Sequence, residues 1–305
     1  MAYSLKQELS KQERFMGGHR LCAGCGAGIT CRAMMRALDP EDRAVVCNAT
    51  SCLEVSSFLY PYTAWTDSYI HTAFANASAT ASGVEAAYRV MKRRGKLDET
   101  YKFLVIGGDG GTYDIGLQSL SGAMERGHDL TYFCYDNEAY MNTGVQKSGL
   151  TPYGMKTTNT PSGKNFHGSQ SSKKRMFEIV AAHGIPYAAT ASLGYPEDFM
   201  AKVEKAMNTD GTSYIHVMAP CPTGWGTPTD VTIDIGKEAV DCGLWYLAEY
   251  ENGKFKINRD PKEFTSVEDY LKKQSRFANF DAHDFERVIA DRDATWNRIR
   301  NDWNK

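Results

Sequence analysis

The apolar residues of this chain fall into short runs that alternate with amphipathic stretches. Residues 44–50 (AVVCNAT) and 101–108 (YKFLVIGG) are nearly continuous apolar segments, the pattern of strands buried on both faces. LTYFCYDN (130–137), PYAATAS (186–192) and SYIHVMAPC (213–221) read the same way. Helical periods lie between them. Ile115, Leu117, Leu120 and Met124 share one face over 113–127, closed by Gly127 in C-cap position. RMFEIVAAHGI (175–185) ends in a glycine stop, and PEDFMAKVEKAMNTDG (196–211) opens with Pro196 and acids in its first turn. One further helix starts near Ala79, and another follows Cys25. Strands separated by such helices pair in parallel through right-handed crossovers. The expected architecture is therefore α/β, an open, mostly parallel sheet with helices on both faces, and its ligands belong at the carboxyl ends of the strands.

Two segments break the alternation. Residues 150–174 form a long Gly/Ser/Thr/Lys loop of the functional or mobile kind. After about residue 230 the chain turns charged and weakly apolar, ending in a helix over 285–302. The expected organisation is a principal domain over 1–230 and a partly helical C-terminal arm over 231–305, packed on a partner or on its own core.

Composition narrows the function. The 305 residues are 42% hydrophobic and 24% charged with a net charge of −2, so no basic field points to nucleic acid or an anionic membrane. No run is apolar and long enough to span a bilayer, and the polar N-terminus lacks the pattern of a signal or transit peptide. A cytoplasmic protein is expected, where disulfides rarely persist. Cys31, Cys134 and Cys242, each inside an apolar or helical stretch, read as small buried hydrophobes.

The chemistry gathers at strand ends. GGDGGTYDIG closes the 101–108 strand. Glycines Gly108, Gly110 and Gly111 let the backbone approach a ligand and leave N–H groups free for an anion, while Asp109 offers a hard oxygen suited to Mg²⁺. A tight βα turn would use the same glycines. One strand later, CYDNEAYMNTG supplies Asn137 and Asn142. Asp109 and Asn137 on adjacent strand ends can clasp one Mg²⁺ while glycine amides hold the diphosphate it bridges.

Four thiols share that edge: the Cys22/Cys25 pair, Cys52 after the first strand, and Cys221 after the last. They suit zinc or an iron–sulfur cluster. Structural zinc prefers two close pairs, and a redox dithiol would stand alone. Cys47, the other candidate third ligand, points from its strand into the core. His71 and Asn76, in YIHTAFANASAT, are placed to line a cofactor or substrate cavity, although core or capping roles serve them equally.

These motifs carry a family resemblance. The GDG start and the Asn137-containing close resemble the thiamine-diphosphate motif, with Asp136–Asn137 where Asn–Asn is commoner. LCAGCGAG, NATSCLEV, GGDGGTYDIGLQSLSGAMERG, CYDNEAYMNTGVQKSG and HVMAPCPTGW resemble the β subunits of the 2-oxoacid:ferredoxin oxidoreductases, the pyruvate enzyme above all. The likeness runs from about residue 15 to the terminal helix. It implies a thiamine-diphosphate-binding fold. It also implies a 4Fe–4S cluster on Cys22, Cys25, Cys52 and Cys221, with Cys52 beside the coenzyme, and Mg²⁺ held by Asp109, Asn137 and the Ala139 carbonyl. Asn142 is expected near the reacting substrate.

The implied reaction is oxidative decarboxylation of a 2-oxoacid with coenzyme A, electrons passing through the cluster to ferredoxin. Pyruvate is expected, with oxalate, branched-chain 2-oxoacids or aryl glyoxylates as alternatives. The implied partners are sister subunits of α, γ and δ type, one carrying the glutamate that activates the aminopyrimidine. Glu54 and Glu138 therefore read as a surface acid and a turn acid. Arg20 could offset cluster charge. Lys147, Lys164, Lys173 and Lys174 could meet coenzyme A phosphates or acidic ferredoxin, or form a solvated face. The rival from another class is a zinc-stabilised, non-catalytic binding protein.

Overall fold

The computed structural model describes residues 6, 10–164 and 166–303. Six parallel strands form the centre of one sheet: β1 (Arg43–Ala49), β2 (Ser68–Thr72), β3 (Tyr101–Gly108), β4 (Thr131–Asp136), β5 (Tyr187–Ser192) and β6 (Ser213–Met218). Then β7 (Ala248–Glu251) and β8 (Lys254–Ile257) add antiparallel at one edge, in the order β8-β7-β5-β6-β4-β3-β1-β2. Up to β6 the helices are α1 (Gly26–Arg36), α2 (Cys52–Ser57), α3 (Ala77–Arg93), α4 (Asp109–Tyr113), α5 (Leu117–Glu125), α6 (Met176–Ala181) and α7 (Pro196–Met207). Beyond it come α8 (Pro222–Trp225), α9 (Thr232–Asp241), α10 (Val267–Lys272) and α11 (Ala282–Asp302).

Strand alternation divides the core into two layers. Val46, Leu104, Phe133 and Ile215 pack with Met34 and Met35 of α1 and Phe199 and Val203 of α7. Their sequence neighbours Cys47, Val105, Cys134 and Tyr214 point the other way, onto Ala81 of α3, Leu120 and Met124 of α5, and Phe177 of α6. Every residue of β4, β5 and β6 is buried, which explains their unbroken apolar runs. Cys31, Cys47, Cys134 and Cys242 all lie in the interior. Among the described residues, no helix is long and apolar enough to cross a membrane.

Three segments differ from the sequence expectation. The helix expected over 113–127 starts only at Leu117, as α5, because α4 ends at Tyr113 and Gly116 then presses on the Gly111 carbonyl; a Cβ there would lie 1.9 Å from that oxygen. SYIHT, placed ahead as a cavity wall, is the edge strand β2 paired with β1. Residues 231–305 hold two strands of the main sheet, and α11 drives Trp296, Ile299 and Trp303 into the same layer as α3 and α5. AEYE is buried except at Glu251 and so shows no alternation, whereas KFKI alternates exposed lysines with half-buried Phe255 and Ile257.

Glu249 on β7 shows how that rim is held. Burial alone would raise its carboxyl, but hydrogen bonds from Asn258 (2.5 Å), Lys205 (3.1 Å) and Tyr187 (2.9 Å) hold it at about 2, below its ordinary 4.5. A depressed folded-state value stabilises above the unfolded value and is lost as pH falls through the folded one. Glu249→Gln is expected to flatten the acid decline of the melting temperature between about pH 4.5 and 2. An unchanged acid limb would contradict this assignment.

Candidate functional site

The crossovers from β1 and β3 leave toward opposite ends of the sheet, because β1 leads to β2 on one side and β3 to β4 on the other. Ligands bind in the crevice that such a reversal opens. Here the crevice is lined by Thr50, Ser51 and Cys52 after β1, by Gly108–Gly111 after β3, and by Asn137 and Ala139–Asn142 after β4, with Phe74 across from them.

Its floor is a convergence of oxygens. The side-chain oxygen of Asn137 lies 3.1 Å from Asp109 Oδ1 and 2.9 Å from the Ala139 carbonyl oxygen. Turned over, the amide would donate to both; as placed, three acceptors face one another with no donor between them. Two neighbouring oxygens of an octahedral magnesium site with bonds of about 2.1 Å stand about 3 Å apart, so with the amide oxygen turned inward the spacing fits that ion, just as it fits the two hydrogen bonds of the turned-over amide. Asp109 points the same way. Burial, and next the Asp136 carboxylate, raise its carboxyl well above the ordinary range, a state that a divalent cation reverses. Ser148 donates to its other oxygen, Oδ2.

The turn is braced on all sides. Glu138 N donates to Asp136 Oδ1 (2.9 Å), Thr151 Oγ1 to the Glu138 carbonyl (2.7 Å), and Trp225 Nε1 to the Asn137 carbonyl (2.9 Å). Glu138 at φ 68° and Val145 at φ 63° sit in left-handed backbone, a costly state for side-chain-bearing residues that clusters at functional sites. Gly110 is required for a different reason. A Cβ there would stand 2.3 Å from the Tyr140 ring, whose hydroxyl donates to the Gly110 carbonyl at 3.0 Å. Gly110→Ala is expected to expel Tyr140 and weaken coenzyme binding by about tenfold or more, measured by titration of the diphosphate with excess Mg²⁺; unaltered binding would remove the glycine from the site.

The four thiols are brought to the same edge. Gly26 N donates to the Pro220 carbonyl (3.1 Å), and a Cβ on Gly26 would lie 2.5 Å from that oxygen, so glycine lets the Cys22/Cys25 loop dock on the Cys221 segment. Leu53 N donates to Tyr135 Oη (3.2 Å), hanging α2 and Cys52 over β4. Gly224 lies between Met141 and Cys221, joining that thiol to the crevice wall. Burial first, then Cys221, Cys25 and Cys22, raise the Cys52 thiol; burial raises Cys221 to about 11 and also lifts Cys25. Thiolates that repel one another in this way favour a cationic centre that binds them and displaces their protons to solvent. Backbone N–H groups already aim at sulfur, from Ala27 and Gly28 to Cys25 and from Gly224 to Cys221 (3.3 Å).

Zinc fits less well. Its four sulfurs would stand about 3.8 Å apart around bonds of about 2.3 Å. Among the described residues, the one trio of His, Cys, Asp or Glu donors within 4.8 Å of one another is His167, Asp281 and Asp284. A 4Fe–4S cube would instead spread the four thiolates over four irons.

Other expectations change. His71 does not line the crevice; it is half-exposed on β2 and pairs with Glu54 at 2.7 Å. Asn76 stands at the N-cap position of α3. Glu54 is buried rather than a surface acid, and Glu138 is buried in ion pairs with Lys173 and Arg276 rather than a free turn acid. Lys174 is exposed and pairs with Asp114 at 2.5 Å, while Lys173 is half-buried against Glu138. Lys164 and Arg20 are exposed, and Lys147 is half-buried. Trp225, Tyr135 and Ser148 were not singled out in the sequence, since each acts through a contact between distant segments.

Comparison with known proteins gives a consistent picture. Residues 44–217 match the thiamine pyrophosphate enzyme family, C-terminal TPP-binding domain. The chain is 51% identical to pyruvate synthase subunit PorB of Methanocaldococcus jannaschii, over 92% of this chain and 94% of that one. Identity to the PorB subunit of Thermotoga maritima is also 51%, over 97% and 94%. Ketoisovalerate oxidoreductase subunit VorB of Pyrococcus abyssi is 47% identical over 90% of this chain and 88% of its own. In three dimensions the chain resembles a 2-oxoglutarate:ferredoxin oxidoreductase from Magnetococcus marinus, solved with 2-oxoglutarate, coenzyme A and succinyl-CoA bound. That match has a TM-score of 0.58 at 18% identity, over 91% of this chain and 94% of that one, a likeness of fold.

Proposed function

Because the chain belongs to the 2-oxoacid:ferredoxin oxidoreductase family, as a PorB-type subunit with a thiamine diphosphate-binding domain, we infer that it anchors the coenzyme through magnesium and carries the first electron acceptor of pyruvate oxidation. The observation that carries this reading is a shared crevice: Asp109, Asn137 and Ala139 line it, and so does Cys52. Thiamine diphosphate, when bound, supplies the carbon nucleophile for decarboxylation, and a 4Fe–4S cluster takes electrons singly toward ferredoxin.

The protein's own residues position and neutralise. Asp109, Asn137 and the Ala139 carbonyl would hold Mg²⁺, and the Gly108–Gly111 amides would meet the diphosphate, in a crevice that Asn142 also lines. Asn142 presents its amide to the substrate carboxylate or carbonyl. Cys22, Cys25, Cys52 and Cys221 would hold the cluster, with the N–H groups aimed at sulfur offsetting its negative charge. Cys22 is exposed, which gives electrons a short exit. The crevice encloses only about 10 Å³, and sister subunits of the complex would add further coenzyme contacts.

Pyruvate is the proposed substrate, since the PorB relatives stand at 51% identity and the VorB relatives at 47% and 45%; the VorB likeness supports a branched-chain 2-oxoacid as the second reading. The test is the complex purified without oxygen and assayed with coenzyme A, a viologen dye and a panel of 2-oxoacids. Dye reduction with the highest kcat/KM for pyruvate is expected. A colourless, zinc-containing complex that reduces no dye would overturn the function, and a preference for 2-oxoisovalerate would overturn the substrate.

A further inference from the structure

Beside the metal turn, between residues 172–177, the end of β6 and α11, lies a second cavity of about 480 Å³, the size of a small-molecule site. At its polar end Lys173 and Arg276 (2.5 Å) share one buried carboxylate, Glu138. Its body is apolar, built from Trp245, Tyr246, Tyr270, Leu271 and Phe277. Lys174, Arg175, Arg292 and Arg298 complete its cations. The carboxylates that meet these six are Glu138, Asp114, Glu178 and Asp293, and Asp291 is also on the wall. On the wall itself these six cations stand against two carboxylates, Glu138 and Asp291, which favours an anionic ligand.

We propose that this cavity is an effector site for a small amphipathic monocarboxylate whose charged head joins Lys173 and Arg276 and whose aromatic or branched body fills the apolar end. Two contacts couple it to the metal turn. Glu138 lies between Asn137 and Ala139 and is held in left-handed backbone. Arg276 stacks 3.7 Å from the ring centre of Trp225, whose indole N–H holds the Asn137 carbonyl. An anion that draws on Lys173 and Arg276 relaxes both holds, so occupancy weakens coenzyme binding, and coenzyme weakens occupancy by the same factor. The site stands independently of the proposed function; its coupling rests on the magnesium reading.

The test uses the purified complex with phenylacetate as probe, followed by tryptophan fluorescence, and thiamine diphosphate affinity measured with excess Mg²⁺. Phenylacetate should bind saturably and phenylacetamide about tenfold more weakly. Val288→Trp, which fills the cavity from α11, should abolish probe binding while turnover without probe stays unchanged. Saturating phenylacetate should raise the thiamine diphosphate Kd by about threefold or more in the parent and not in Val288→Trp. Absent binding, equal binding of the amide, or binding that survives Val288→Trp would overturn the site. Saturable binding with an unmoved Kd would overturn the coupling, whereas a complex that binds no thiamine diphosphate at all would refute the magnesium reading and leave the site standing.

Discussion

Replacing Asp109 with alanine is expected to strip thiamine diphosphate from the protein, lowering its affinity by about a hundredfold or more, while the visible colour of the proposed iron–sulfur cluster survives. The carboxylate is the one anionic member of the oxygen triad, and Asn137 and Ala139 contribute only neutral oxygens. A dication that loses its charged ligand keeps little reason to leave water. The fold should not suffer. Asp109 is almost wholly buried, and Asp136 raises its carboxyl further, so the residue costs stability until a cation arrives. Asp109→Asn, which keeps the shape, should therefore melt at or above the parent temperature without coenzyme and still fail to retain it. Coenzyme at normal stoichiometry in Asp109→Ala, with magnesium still bound, would end the assignment.

The second large effect is expected at Cys52. Cys52→Ser should yield a cluster that is lost or destroyed by air, with dye reduction falling by about a hundredfold or more, whereas Cys31→Ser should keep both the colour and the activity. The two thiols differ in surroundings. Cys52 opens α2 over the crevice and feels Cys22, Cys25 and Cys221. Cys31, on α1, is buried in the apolar layer that α1 forms with the sheet, so its serine variant buries a hydroxyl and is expected to lose only about 1–3 kcal/mol of stability. Iron content, visible absorbance and thermal melting of both variants decide the matter. Equal loss of iron in the two would show that the third ligand is misassigned.

Much of the site is legible in one dimension because it consists of backbone-adjacent chemistry. Gly108, Asp109 and Gly110 are consecutive, Asn137 and Ala139 belong to one turn, and each thiol sits in a short segment beside a strand end or helix start. The parallel sheet is equally legible, since β4, β5 and β6 are apolar on both faces. What escapes are residues whose part depends on a distant neighbour. Glu138 looks like a turn acid until Lys173 and Arg276 arrive from 35 and 138 positions away. His71 looks like a cavity residue until pairing with β1 turns SYIHT into an edge strand. The charged C-terminal segment looks like an arm until β7 finds β5.

By itself the order of residues determined the alternation of elements, the edge of the sheet where ligands belong, and the local donors, because these follow from periodicity and neighbouring atoms. Only tertiary packing decided which thiols share a space and which acids are ion-paired. It also decided that Trp225 braces the turn after β4 and that a cavity opens beside it. Those are sums over contacts between remote segments, and their energies exist only once chain entropy has been overcome by the burial that brings the segments together.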